Sequence, residues 1–168
     1  YLFEQRWKAD VRKAARILAG RESFWLFEDW RKLEADNGLV SSFYFCAYQG
    51  SVARYLLRAP DPFYDITSPR FRDLFEYLHS QGCEIGLHAS YLAYNHLDSL
   101  VGEKRSLEEA AQCQVTGNRH HYFHMDPDDP VSTARLHDAM GLVYDSSLAF
   151  SECSGFRRGT CHPFHVFD

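Results

Sequence analysis

The stretch Glu84-Ile85-Gly86-Leu87-His88-Ala89-Ser90 decides the predicted fold and locates the candidate site. Its short apolar run ends, and His88 follows directly. In α/β proteins, chemistry is carried out where a strand ends and the chain turns outward. Two later segments, residues 119–122 and 143–147, also place polar side chains at predicted strand ends. We therefore expect a functional site at one edge of a parallel sheet.

Helical and extended patterns alternate along the chain, which favours an α/β fold with a parallel sheet or a β/α barrel. Ser106 and Glu109 could form a capping box that divides one of the helices in two. Strands are predicted over residues 39–46, 83–88, 115–122 and 142–145, and helices over residues 2–19, 23–36, 69–81, 97–112 and 131–140.

The length of 168 residues suits one domain with a real core. A complete barrel of eight β/α units takes ~250 residues. The alternation therefore predicts a single partial β/α barrel domain over residues 1–168, without its first strand and its C-terminal part. The polar stretch 49–67 is long for a connection, and it is expected to carry function or a short helical insert.

Composition and charge exclude several classes of partner. The net charge of −5 offers no global basic field, so nucleic acid is not expected as a partner. No run approaches the ~20 apolar residues of a membrane helix, and no signal peptide is visible. Five cysteines without C-x-x-C spacing favour a reducing compartment, and the cytoplasm is predicted. The aromatic content of 15% fits a sugar-binding cleft or a large core.

Four segments together resemble the polysaccharide deacetylase family of carbohydrate esterases, and more closely a bacterial branch of it. They are residues 82–91 (GCEIGLHASY), 117–122 (GNRHHY), 144–148 (YDSSL) and 155–164 (GFRRGTCHPF). The resemblance implies a distorted β/α barrel and one divalent metal, with zinc as first choice, held by an aspartate and two histidines. It also implies removal of acetyl groups from an N-acetylated sugar by a metal-activated water.

The resemblance identifies the candidate metal ligands. His88 matches the first histidine of the H-x-x-x-H motif of the family, but Leu92 stands where the second would be. Arg119 matches the arginine of the R-x-P-Y motif, and His121 stands at its proline position. We expect His121 to supply the lost ligand, with His120 as the alternative.

The same comparison suggests further site residues. Arg119 and Asp145 are expected to be catalytic or to assist catalysis, and Tyr91, Tyr122 and Arg157 to contact substrate. Arg157 could instead hold its own loop in place. From the residues alone, Arg119 could instead pair with Asp145 or Glu84, and Asp145 could be a turn residue or a helix cap. The aspartate pair of the family is expected upstream of this chain.

Two other functions remain open at this stage. A barrel without its aspartates would bind glycan without cleaving it, and the same metal site could hydrolyse a non-sugar amide. Either reading takes a carbohydrate or a small amide as partner, and no oligomeric state is predicted. Four further histidines, at positions 79, 96, 124 and 137, are expected at the surface or at an interface.

Overall fold

The computed structural model describes residues 25–48, 61–62, 64–150 and 153–166. The chain divides into two compact units, Tyr1–Val40 and Ser41–Asp168. In the described part of the first unit, helix α1 spans Phe27–Asp36. The helix predicted over residues 2–19 lies outside the described residues, as does the start of the helix predicted from residue 23.

The second unit contains a four-stranded sheet in the order β1-β2-β3-β4, and every neighbouring pair is parallel. The predicted α/β fold and the parallel sheet are therefore confirmed. The strands are β1 (Ser42–Phe45), β2 (Glu84–Leu87), β3 (Gly117–Asn118) and β4 (Tyr144–Asp145), and the helices are α2 (Pro69–Ser80), α3 (Leu97–Ala111) and α4 (Pro130–Ala139). Short 3₁₀ turns cover Ala93–Asn95 and His121–Phe123.

Helix α2 follows the signals that predict it. Pro69 stands in the first turn, where its fixed φ suits a helix and its missing N–H costs nothing. Gly82 follows the last turn with φ 72°, a left-handed conformation that glycine adopts without strain. The apolar stripe of the helix packs on the sheet, where the Phe75 and Phe45 rings meet edge to face at 5.0 Å.

The strand register sorts side chains onto two faces of the sheet, because successive residues of a strand point to opposite sides. Phe45 pairs with Leu87, Leu87 pairs with Asn118, and Asn118 pairs with Asp145. These residues share the side that packs against the helices, which we call the helix face. The alternate positions form the opposite side, which we call the polar face: Ser42, Tyr44, Glu84, Gly86, Gly117 and Tyr144.

A hydrogen-bonded network covers the polar face. The Tyr44 and Tyr144 hydroxyls lie 2.9 Å apart, and the Tyr144 hydroxyl donates to Glu84 Oε2 at 2.5 Å. The two rings lie over glycines of the neighbouring strands. A Cβ on Gly86 would stand 2.6 Å from the Tyr44 ring, and one on Gly117 would stand 2.3 Å from the Tyr144 ring. The glycines thus make room for the tyrosines.

Two predicted elements differ from the structure. Helix α3 is continuous, because the Ser106 hydroxyl donates back to the Gly102 carbonyl at 2.9 Å instead of capping a second helix. The strand predicted over residues 115–122 is shorter in the structure, where β3 covers only Gly117–Asn118. The positive φ values of Tyr122 and Phe123, 56° and 54°, then turn the chain out of the extended conformation.

Among the residues that the structure describes, no helix has the length and apolar character needed to cross a bilayer.

Candidate functional site

The backbone at the carboxyl ends of the strands brings the predicted site segments together. The parallel pairing continues beyond the strands, since the His88 amide donates to the Phe45 carbonyl at 2.8 Å and the Arg119 amide donates to Leu87 at 2.9 Å. The His121 amide then donates to Ala89 at 2.9 Å. These bonds hold the residues after β2 and β3 side by side at one edge.

His88 and His121, the two predicted metal ligands, are in direct contact. His88 Nε2 lies 2.8 Å from His121 Nδ1. His88 Nδ1 lies 2.6 Å from the Arg119 carbonyl oxygen, which can only accept, so Nδ1 carries the proton. The Nε2 lone pair of His88 therefore points at His121. A metal-binding histidine is commonly oriented in this way, with its other nitrogen donating to a backbone carbonyl.

The surroundings keep His88 uncharged at neutral pH. The pKa of His88 is lowered to about 4, mainly by burial and then by the nearby His121 and Arg119 charges, against the opposing effects of the Arg119 carbonyl and Asp61. A neutral imidazole is the form that binds a metal ion. His88 therefore has the protonation state that a metal ligand requires.

Arg119 lies at this edge but does not pair with Asp145. Its Nε donates to the Ser146 hydroxyl at 3.0 Å, and its guanidinium carbon lies 5.0 Å from the centre of the Tyr44 ring. Asp145 belongs to the helix face, whereas Arg119 follows Asn118 and so points the other way. The alternative pairing of Arg119 with Asp145 is wrong for this geometric reason.

Aromatic rings flank the histidine pair. The Tyr122 ring meets the His121 ring at 4.6 Å and the Tyr91 ring at 6.1 Å, both edge to face. Tyr91 stacks on His124 at 4.1 Å, and His124 Nδ1 donates to the Tyr91 carbonyl. Tyr122 is 70% exposed, so its ring is available to a ligand. Two of the predicted substrate contacts thus adjoin the predicted ligands.

Arg157, the third predicted substrate contact, is placed elsewhere. It lies on an exposed turn in which the Gly159 amide donates to the Phe156 carbonyl at 2.8 Å. Within the described part of the chain, no contact joins Arg157 to His88 or His121.

Two buried acids support the loop after His88, and sequence reasoning did not identify them. Glu103 accepts from the Ser90 amide at 2.9 Å and from the Ser90 hydroxyl at 2.5 Å, and burial raises its pKa. Asp61 accepts from the Tyr91 amide at 2.7 Å. Glu103 could have been found, since it lies on the buried stripe of α3 three residues after Leu100.

A second cluster of ligand-type side chains lies on the helix face. His120 Nε2 and His137 Nε2 are 2.8 Å apart, and His137 Nδ1 is 3.8 Å from Asp145 Oδ2. His137 of α4 is only 5% exposed, so it is buried and the expectation of a surface position is wrong. One ligand atom from each of the three residues lies within 4.8 Å of the others, and together they could hold a metal ion.

Asp145 is a structural anchor in this cluster rather than part of the His88 edge. Its Oδ2 accepts from the Asn118 amide group at 2.7 Å and from the Ser147 hydroxyl at 2.9 Å. Its Oδ1 accepts from the Ser147 backbone amide at 2.8 Å, which is the turn role considered from the sequence.

No family model matches this chain, and comparisons with curated proteins and with solved structures likewise find no match.

Proposed function

We propose that the chain is part of a metal-dependent hydrolase of the polysaccharide deacetylase kind, which removes acetyl groups from an N-acetylated sugar. The observation that carries this proposal is the 2.8 Å contact of His88 Nε2 with His121 Nδ1. Two imidazoles from neighbouring strand ends converge there, and His88 is oriented through the Arg119 carbonyl. Histidine imidazoles are common ligands of zinc ions in hydrolases.

The polar face supports the further proposal that the sheet is part of a β/α barrel. Barrel interiors are filled by layers of side chains from alternate strands. The Tyr44, Tyr144 and Glu84 side chains form such a layer across three strands, and glycines beneath the rings make it possible.

Each residue at the edge has a separate task in this proposal. A divalent ion bound by His88 and His121 would polarise an acetamide carbonyl and lower the pKa of a bound water to about 7. Asp61 is buried and its negative charge raises the pKa of His88, so it is the candidate for the acidic group that the resemblance requires. The Arg119 guanidinium would orient the substrate from its position at the same edge, where it donates to the Ser146 hydroxyl.

Tyr91 and Tyr122 would hold the sugar. Pyranose rings present flat C–H faces that pack on exposed aromatic rings, and Tyr122 offers such a ring beside His121. This arrangement would place an N-acetyl group of the sugar close to the two imidazoles.

Acetate release from N-acetylglucosamine oligomers tests the proposal. The protein is stripped with a chelator, reloaded with Zn²⁺ and assayed beside His88→Gln and His121→Gln. Each variant should lose at least ~100-fold in kcat/KM, because loss of residues that only orient metal ligands already costs about 10–100-fold. His79→Gln, an exposed position on α2, is the matched control and should keep full activity.

Sugar binding without acetate release by the zinc-loaded protein would contradict the proposal, and would instead support a glycan-binding module. Equal activity of His88→Gln and His79→Gln would show that the edge does not carry the chemistry. Circular dichroism of each variant separates loss of activity from loss of folding.

A further inference from the structure

The cluster of His120, His137 and Asp145 is separate from the His88–His121 pair. Asp145 lies on the helix face, and His120 follows Asn118 and Arg119, so its side chain returns to that same face. His137 reaches the cluster from helix α4. The three groups therefore meet between the sheet and a helix, whereas Arg119 occupies the opposite face.

One buried imidazole nitrogen of this cluster has no hydrogen-bond partner among the described residues. A neutral imidazole has one N–H and one lone pair, and the contact between the two Nε2 atoms uses one of each. His120 is fully buried, and among the described residues its Nδ1 has no hydrogen-bond partner. The 3.8 Å from His137 Nδ1 to Asp145 Oδ2 is too long for a hydrogen bond.

A cation held between the three side chains would join them more closely than the single hydrogen bond between the two imidazoles does. Ligand atoms around a tetrahedral zinc lie about 3.3 Å apart, given bonds of about 2.0–2.1 Å. The three donors already lie within 4.8 Å of one another, so small side-chain rotations bring them to that distance. Asp145 is also held by Asn118 and Ser147, as ligating carboxylates commonly are.

The cluster has an entry path for an ion. His137 and Asp145 line a cavity of about 990 Å³ whose other walls include Tyr144, Phe156 and Phe164. Water or an exogenous ligand in that cavity could complete the coordination. Two imidazoles and one carboxylate favour Zn²⁺, Co²⁺ or Ni²⁺ over Mg²⁺ or Ca²⁺, which prefer oxygen ligands throughout.

We propose that His120, His137 and Asp145 form a second divalent transition-metal site, which fastens helix α4 to the ends of β3 and β4. The site is structural, because His120 is fully buried. The ion would join two residues at the ends of the strands to one residue of helix α4. It is independent of the proposed hydrolase activity, which uses the opposite face.

Metal binding by the untagged protein tests this proposal without any activity assay. The chelator-stripped chain is titrated with Co²⁺ and Zn²⁺, and stoichiometry is read from the cobalt absorption bands and from the metal retained after gel filtration. Wild type should bind two equivalents. His137→Gln and Asp145→Asn should each bind one, while His79→Gln should still bind two.

The variants also separate this site from the proposed active site. His88→Gln should retain one equivalent, together with the rise in thermal unfolding midpoint that Zn²⁺ produces through the helix-face site. If His137→Gln binds one equivalent of metal fewer than wild type and His88→Gln binds as much as wild type, the second site is supported and the active-site metal is not. The proposal is overturned if folded Asp145→Asn and His137→Gln, checked by circular dichroism, both bind as much metal as wild type. It is also overturned if wild type binds a single equivalent that His88→Gln abolishes.

Discussion

Replacing Gly86 by alanine tests how tightly the polar face is packed. The added Cβ would stand 2.6 Å from Tyr44 Cδ1 and 3.3 Å from the Gly117 carbonyl oxygen. Carbon atoms in contact normally lie about 3.5–4.0 Å apart, so the Tyr44 ring must move by roughly 1 Å. That ring is held by the Tyr144 hydroxyl at 2.9 Å and lies under Arg119, so it cannot move without breaking contacts.

The expected cost follows from two opposing terms. Overpacking of this kind costs about 1–3 kcal/mol. Replacing glycine by alanine also restricts the unfolded chain, which stabilises the folded state by about 0.4–1 kcal/mol. Gly86→Ala should therefore lower the free energy of unfolding by about 1–2 kcal/mol, measured by urea denaturation.

Two comparisons make the Gly86 prediction specific. Gly102 lies in helix α3 with nothing within 4 Å of an added Cβ, so Gly102→Ala should stabilise the chain by about 0.5–1 kcal/mol. In a Tyr44→Ala background, Gly86→Ala should cost less than about 0.5 kcal/mol, because the clashing ring is gone. An equal cost of Gly86→Ala with and without the Tyr44 ring would show that the ring does not restrict this position.

Further predictions concern the buried acid and the buried thiol. Glu103→Gln should lower the free energy of unfolding by about 1–3 kcal/mol, because it disturbs two hydrogen bonds from Ser90. The control Glu109→Gln, at an exposed position, should change the free energy of unfolding by less than about 0.5 kcal/mol in the same urea titration. A loss no larger than that of Glu109→Gln would show that the Ser90 bonds contribute little. Burial raises the pKa of Cys46 to about 12, so its reactive thiolate stays scarce until the pH approaches that value. Iodoacetamide at pH 8 should label the exposed Cys161 and spare Cys46 in the native protein, as read by peptide mass spectrometry, and equal labelling of the two would contradict the buried position of Cys46.

Much of the fold follows from local sequence signals. Pro69 and Gly82 delimit α2, and the apolar stripe between them fixes the side that packs. The extent of β3 could not be foreseen, because it depends on the left-handed backbone of Tyr122 and Phe123. Neither residue type signals that conformation, which glycine and asparagine adopt more readily.

The candidate site was only partly predictable, for a similar reason. Parallel strand ends share an edge, so His88 and His121 could be expected to meet from their positions after β2 and β3. The contact of His120 with His137 depends on how α4 is rotated against the sheet, and its short amphipathic pattern does not determine that rotation. The sequence places Asp145 at a strand end but does not show which face of the sheet it occupies, so its separation from the active edge could not be predicted.

The proposed activity depends on a divalent ion bound by the His88–His121 pair at the carboxyl edge of the sheet. Crystals of the protein equilibrated with Zn²⁺, with diffraction recorded on both sides of the zinc absorption edge, test it most directly. We expect an anomalous peak about 2.0–2.1 Å from both His88 Nε2 and His121 Nδ1. An empty position there, with the two nitrogens still in their 2.8 Å contact, would contradict it.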